Sequence, residues 1–187
     1  MHAVRLILAT LLIPLAVAAA DRPLKIDRTR TFIDVDVKAT FGSFTGHLDN
    51  YDLKVTVDAP GKIKSTVFSF KFADLKTGEA ERDKNMIKWL GGGDPTGLFE
   101  VGNLAITPDG QGQVSGRLTF HGKTERVEFP INVVKADGVF TVTGETTIDY
   151  RQWDLKVIKM ALVAKVDPEV KIRFKLTGTV AAAEPAK

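Results

Sequence analysis

The feature that most constrains the fold is a two-residue alternation of apolar and polar side chains. Ile33, Val35 and Val37 alternate with Asp34 and Asp36. Residues two apart project from the same face of a β-strand, so such a run predicts a strand with one buried face. The same pattern recurs at residues 51–59, 68–72, 127–133, 140–148 and 170–180.

Short groups of turn-forming residues separate these runs. They lie at Ala59-Pro60-Gly61, Pro108-Asp109-Gly110, His121-Gly122-Lys123 and Asp137-Gly138. Such residues suit tight hairpin connections, and short strands joined in this way favour an antiparallel sandwich or barrel. We therefore predict an all-β fold, antiparallel and barrel-like, with about eight strands between residues 24 and 181.

One segment, residues 79–90, breaks the alternation and has the composition of a helix. Met86, Ile87 and Leu90 fall on one side of it, and the three glycines at 91–93 end it. A short helix between two barrel strands predicts a cap over an open end. The glycines predict a hinge that lets this cap move.

The first 20 residues form a separate unit. A basic start precedes an apolar run over residues 6–17 and three alanines at 18–20. This order is typical of a secretory signal peptide, and the run is shorter than the roughly 20 residues that span a bilayer. We expect cleavage after Ala20, export to the periplasm with secretion as the alternative, a barrel domain over residues 21–181 and a disordered tail over 182–187.

Most motifs of catalysis and metal binding are missing. The chain has no cysteine, and His47 and His121, which remain after signal cleavage, lie far apart. Basic and acidic residues are interspersed, which argues against a nucleic-acid partner. Asp34 and Asp36 share the polar strand face, where we expect them to be solvated. We predict no catalytic residue, no metal site and no cofactor.

The 11 phenylalanines of the chain are the remaining signal. Many fall at inward strand positions, where the plain interpretation is core packing. A barrel of about eight strands is, however, wide enough either to fill with side chains or to hold one slender ligand. On the second interpretation, the ligand contacts are Phe41, Phe68, Phe70, Phe72, Met86, Trp89, Leu90, Phe120, Phe129, Phe140 and Trp153.

Several segments resemble the YceI-like family of bacterial periplasmic lipid-binding proteins. The sequence GRLTFHGKT at residues 116–124 is similar to the most specific hairpin of the family. Residues 42–46 (GSFTG) resemble its Gly-x-Phe-x-Gly turn, and residues 82–89 resemble its helical segment. Residues 150–153 (YRQW) resemble its Arg-containing segment. The resemblance covers residues 24–180.

The resemblance implies a lipocalin-like barrel of eight antiparallel strands, capped by a helix. Its ligand would be a polyisoprenoid, an isoprenoid quinone or a fatty amide, with the headgroup near Asn85 or Arg151 at the mouth. It implies a non-enzymatic periplasmic carrier with transient membrane contact, and it allows a homodimer. Two alternatives stay open, namely a barrel enzyme acting on a lipophilic substrate and a stress-related interaction domain without a ligand.

Overall fold

One antiparallel sheet contains the strands of the computed structural model, which describes residues 22–57, 63–160 and 164–180. The predicted signal peptide, the predicted tail and the predicted turn at residues 59–61 lie outside the described residues. The strands are β1 (Arg22–Ile26), β2 (Phe32–Ala39), β3 (Gly42–Leu48), β4 (Asp52–Val57), β5 (Ile63–Lys71), β6 (Leu75–Lys76), β7 (Thr96–Ile106), β8 (Gln111–Phe120), β9 (Lys123–Ala136), β10 (Val139–Asp149), β11 (Lys159–Met160) and β12 (Ala164–Val180).

The sheet closes into a barrel in the order β1-β4-β5-β7-β8-β9-β10-β12, and β12 pairs with β1 to complete the ring. The long strand β12 pairs with two strands, β1 and β2, along the same edge. Its residues 166–175 pair with β2, whereas residues 178–180 pair with β1. The predicted eight-stranded antiparallel barrel is therefore confirmed. Strands β2, β3 and β6 continue the sheet from the part of β12 that β1 does not cover.

Two hairpin turns follow the sequence prediction closely. His121 and Gly122 join β8 to β9, with φ angles of 50° and 73°, and Asp137 and Gly138 join β9 to β10, with 50° and 76°. Positive φ at both central residues is the signature of a type I′ turn, whose twist matches that of the flanking strands. These turns therefore set the register of β8, β9 and β10.

The motif at residues 42–46 forms a strand and not the expected turn. The chain reverses one step earlier, at Thr40 and Phe41, because Ala39 already pairs with Gly42. Gly42 has a φ of 102°, which a residue with a side chain adopts only with strain. Phe41 therefore occupies the turn and not an inward strand position, and 77% of its surface is exposed.

The predicted helix is present as α1 (Ala80–Trp89), between β6 and β7. Its end is a Schellman motif, in which the Gly92 amide donates to the Ile87 carbonyl and the Gly91 amide donates to the Lys88 carbonyl. Gly91 has a φ of 99°, so this glycine stops the helix in a defined geometry. No helix in the described part of the chain is long and apolar enough to cross a membrane.

The expectation that Asp34 and Asp36 are both solvated is wrong, because Asp34 is buried. Both project from the outer face, but the register of β2 places Arg173 of β12 and His47 of β3 directly opposite Asp34. Arg173 Nε donates to Asp36 Oδ2 at 2.5 Å, and His47 Nδ1 donates to Asp34 Oδ1 at 2.8 Å. The Arg173 guanidinium lowers the pKa of Asp36 to about 2. The carboxylates of Asp34 and Asp36 on β2 thus link this strand to β3 and β12.

Candidate ligand-binding cavity

The barrel encloses a cavity of about 750 Å³, within the range of small-molecule binding sites. Its walls are mostly apolar, because the inward face of each long strand carries the apolar half of the alternating pattern. On β2, for example, Ile33, Val35 and Val37 line the cavity, while Asp34 projects outward. The interior is therefore hollow and not filled by side chains.

A ladder of aromatic rings runs along one side of the barrel. Phe68 and Phe70 come from the inward face of β5, and Phe72 continues the row from a short 3₁₀ turn that follows the strand. Successive ring centroids lie 5.7, 5.3, 5.0, 5.6 and 4.6 Å apart along the series Tyr51, Phe68, Phe70, Phe72, Phe120 and Trp153. Such contacts fix the rings against one another.

Glycines in the neighbouring strands let these rings lie close to the wall. Phe70 pairs with Gly97 of β7, and a Cβ at Gly97 would approach the Phe70 ring to 2.4 Å. Phe174 pairs in the same way with Gly144 of β10, where a Cβ would approach the ring to 2.6 Å. Each ring thus lies flat over a glycine, in the space that a side chain there would occupy. The ring therefore projects less far into the lumen.

Helix α1 presents one face to the cavity. Arg82, Asn85, Met86 and Trp89 line it, at the i, i+3, i+4 and i+7 positions that share one side of a helix. The two residues nearer the start of the helix are polar, and the two nearer its end are apolar. Leu90, which follows the helix, is buried in the core and also lines the cavity.

Trp89 fastens the end of this helix to the barrel. Its indole N–H donates to the Lys156 carbonyl at 2.8 Å, and its ring meets Tyr150 edge-on with centroids 4.9 Å apart. Tyr150 in turn donates its hydroxyl to the Val166 carbonyl at 3.4 Å. Burial raises the pKa of the Tyr150 phenol, which keeps it protonated and suited to donating this hydrogen bond.

The mouth lies between α1 and the β2–β3 hairpin. Residues 42–46 of β3 have no strand partner on their outer edge in the described part of the chain. The Arg82 guanidinium lies over the Phe44 ring at 4.1 Å from its centroid, which joins the two sides of the mouth. Glu79, Ser43 and Asn85 also line this end of the cavity. Polar groups therefore concentrate where the cavity meets solvent.

Comparison with known families identifies this architecture. The family model for the YceI-like domain matches residues 24–178, which is most of the chain. The chain belongs to the YceI-like family. The resemblance seen in the motifs at residues 42–46, 82–89, 116–124 and 150–153 is thereby confirmed for the chain as a whole.

Solved structures of YceI-like and related proteins share the fold. BcnA from Burkholderia cenocepacia is 20% identical, with a TM-score of 0.69 over 83% of this chain and 100% of BcnA. The YCEI protein of Campylobacter jejuni is 14% identical, with a TM-score of 0.57 over 74% of this chain and 85% of that protein. No curated protein sequence matches the chain. At these identities, the structural likeness shows the fold alone.

Most of the predicted ligand contacts of this YceI-like barrel do line the cavity. Phe140 and Trp153 do not. Phe140 is buried beneath Lys135, whose ammonium lies 5.1 Å from the ring centroid, and Trp153 is fully buried behind Phe120. The predicted residues that do line the cavity are Phe41, Phe68, Phe70, Phe72, Met86, Trp89, Leu90, Phe120 and Phe129.

The two predicted headgroup contacts have different outcomes. Asn85 lines the mouth, whereas Arg151 does not line the cavity at all. The Arg151 guanidinium is held by Asp149, with Nη2 donating to Oδ2 at 2.5 Å. Arg82 lines the mouth instead, although its sequence position marked it only as part of the helical motif.

Sequence reasoning also missed the aliphatic and some aromatic parts of the wall. Val35, Leu104 and Ile172 also line the cavity, and so do Phe44 and Phe174. The alternating pattern carries the signal for the strand residues, because each occupies the apolar half of its strand. Phenylalanine content alone was therefore too narrow a criterion for this YceI-like site.

Proposed function

We propose that this YceI-like protein binds one long amphiphilic lipid in its barrel and carries it without altering it chemically. The ligand class is a polyisoprenoid, an isoprenoid quinone or a fatty amide. The observation that carries the proposal is the hollow barrel, with about 750 Å³ of space surrounded mostly by apolar side chains.

An apolar cavity of this kind gains affinity from chain length and not from specific polar contacts. Each methylene removed from water contributes roughly 0.8 kcal/mol, so about ten of them supply on the order of 8 kcal/mol before the cost of ordering the chain. The wall is preformed by the aromatic ladder and the flanking glycines, which lowers the cost of shaping the site.

We further propose that the protein works in the periplasm after export. The basic start, the apolar run over residues 6–17 and the alanines at 18–20 support this location. A long hydrocarbon chain cannot cross an aqueous compartment unaided, since its exposed surface is costly in water. A carrier that encloses the chain in an apolar tunnel solves this problem, and the lipid is then its ligand, with no further cofactor.

Transport also requires contact with a membrane, and the mouth carries a surface suited to it. Phe41 projects from the β2–β3 turn at the rim of the cavity with 77% of its surface exposed. Lys38 of β2 and Lys165 of the neighbouring strand β12 are exposed close to this turn, and the Thr40 amide donates to the Lys165 carbonyl at 3.0 Å. An apolar tip beside two cations favours the surface of an anionic bilayer.

The cavity favours a carrier over an enzyme. General acid-base catalysis requires a titratable side chain close to the reacting atoms. Among the described residues that line the cavity, Glu79 is the only carboxylate, and it lies at the exposed mouth. Tyr150 also lines the cavity, but its hydroxyl already donates to the Val166 carbonyl. The hollow interior also argues against an interaction domain without a ligand, which would fill its barrel with side chains.

Mass measurement of the exported protein tests the proposal. Native and denatured masses are compared, and the protein is then extracted with organic solvent. A discrete lipid that is lost on denaturation and recovered unaltered supports the carrier. A protein without ligand, which also fails to take up polyprenyl and quinone probes, contradicts it. A chemically altered lipid contradicts the non-enzymatic part of the proposal.

A further inference from the structure

Arg82 is the only cationic side chain among the described residues that line the cavity. It lies in the first half of α1 and is half-buried at the mouth, with its guanidinium 4.1 Å from the centroid of the Phe44 ring. This cation–π contact orients the guanidinium plane without using its N–H donors. Most lipid tails would need no cation at this place.

The donors of Arg82 have no carboxylate partner in the described structure. Asp83 is occupied by Thr77, whose amide and hydroxyl donate to its Oδ1 at 3.0 and 2.6 Å. Glu79 is exposed one turn earlier, and Glu81 forms an ion pair with Lys84 at 3.8 Å instead. By contrast, Arg151 and Arg173 each hold a carboxylate.

Two neutral polar side chains, Asn85 and Ser43, also line the mouth of the cavity. Asn85 follows Arg82 at the i+3 position, so both project from one face of α1. Ser43 lines the mouth from β3, one residue before Phe44. One turn further along the helix, Met86 and Trp89 are apolar. This polarity gradient suits an amphiphile with its headgroup at the start of α1 and its tail inside the barrel.

We infer that the lipid carried by this protein has an oxyanion headgroup, a phosphate or a carboxylate, which Arg82 binds at the mouth. The inference rests on the proposed carrier function and specifies the chemistry of the ligand's headgroup. A guanidinium presents a planar fork of donors that matches two oxygens of a phosphate or carboxylate. Phe44 already holds that fork in place, so little side-chain freedom is lost when the headgroup binds. A neutral quinone or amide would offer a carbonyl acceptor but no negative charge to balance the guanidinium.

The test uses three probes on the exported, delipidated protein, namely geranylgeranyl phosphate, geranylgeraniol and inorganic phosphate. Calorimetric titration is expected to show the phosphate ester binding at least about tenfold more tightly than the alcohol of equal chain length, and inorganic phosphate binding far more weakly. In Arg82→Gln, the ratio of the two lipid affinities is expected to fall to about one. Lys88→Gln removes a charge from an exposed position on the same helix and keeps the ratio.

The outcomes separate the inference from the proposed function. Equal wild-type affinity for the ester and the alcohol, or an unchanged ratio in Arg82→Gln, overturns the headgroup inference alone. Inorganic phosphate binding as tightly as the ester also overturns it, in favour of a free-phosphate site. Binding of neither lipid overturns the carrier itself. If Arg82→Gln does not fold, Arg82→Lys keeps the charge but loses the fork, and an unchanged ratio in that variant overturns the inference.

Discussion

Trp153 lies nearly parallel to Phe120, with ring centroids 4.6 Å apart and an angle of 19° between the ring planes. Its indole N–H donates to the carbonyl of Leu118 at 3.0 Å, and no part of the residue is exposed to solvent. Phe120 lines the cavity, whereas Trp153 does not. Trp153 therefore supports the cavity wall from behind, at the β8–β9 hairpin.

Replacing Trp153 is expected to destabilise the barrel. Trp153→Phe keeps an aromatic ring but removes the indole hydrogen bond to the Leu118 carbonyl, at a cost of about 0.5–1.5 kcal/mol. Trp153→Ala removes the whole ring and is expected to cost about 3–5 kcal/mol. Urea unfolding measures both. Phe32→Ala, at a residue with 42% of its surface exposed, is the control and should change little. Equal stability of Trp153→Phe and the wild type would contradict this role.

The ion pair between Arg173 and Asp36 predicts a loss of stability in acid. Arg173 holds the pKa of Asp36 at about 2 in the folded protein, below its ordinary value of 3.8. The unfolded chain therefore takes up the proton first, and the free energy of unfolding falls as the pH drops from about 5 towards 2. Asp27, whose pKa is also about 2, contributes in the same window.

Asp36→Asn isolates the contribution of this ion pair. The variant should be less stable than the wild type at neutral pH, and the difference should shrink as the pH falls to about 2, because the wild-type pair is then lost too. Thermal unfolding across that range measures the difference. A stability difference that stays constant with pH would show that Asp36 is not held ionised by Arg173.

The exposed tip of the β2–β3 turn predicts binding to anionic vesicles. Phe41→Ser is expected to weaken co-sedimentation with vesicles of phosphatidylethanolamine and phosphatidylglycerol by about tenfold or more, since burial of a Phe side chain contributes roughly 1.5–3 kcal/mol. Phe32→Ser removes another exposed Phe, which lies outside the cavity, and should bind as the wild type does. Vesicle binding lost equally in both variants would contradict a specific role for the turn.

Reversing the charge of the two lysines near the Phe41 turn tests whether electrostatic attraction contributes to membrane binding. Lys38 of β2 and Lys165 of the neighbouring strand β12 are exposed close to the Phe41 turn. Lys38→Glu combined with Lys165→Glu should abolish the preference for anionic over zwitterionic vesicles, and salt should weaken wild-type binding. Binding that is insensitive to both lipid charge and salt would exclude attraction by these lysines.

Much of the fold could be predicted from local sequence, because the alternating pattern and the type I′ turns are local properties. Strand register is different, since it depends on residues far apart in the chain. Asp34 and Arg173 are separated by 139 positions, and only the closed barrel brings them together. The burial of Asp34 could therefore not be predicted from the sequence of β2 alone.

The same limit explains the errors in the site. Alternation identifies an inward face, and Phe68, Phe70 and Phe129 line the cavity as predicted. Trp153 lies outside the strands, in the 3₁₀ turn Tyr150–Trp153, where alternation gives no inward face, and there it stacks behind Phe120. The turn of the chain at Phe41 also depended on pairing between β2 and β3, which a motif resemblance alone did not locate.

Occupation of the barrel interior by a lipid tail is the central claim, and neighbouring residues on β10 test it most directly. Thr146 lines the cavity, whereas Thr147 is exposed on the outer face. Thr146→Trp places an indole inside the tunnel, and Thr147→Trp places the same group outside it. Titration with geranylgeraniol should show at least about tenfold weaker binding in Thr146→Trp and wild-type affinity in Thr147→Trp. Equal affinity in the two folded variants would contradict binding of the lipid inside the barrel.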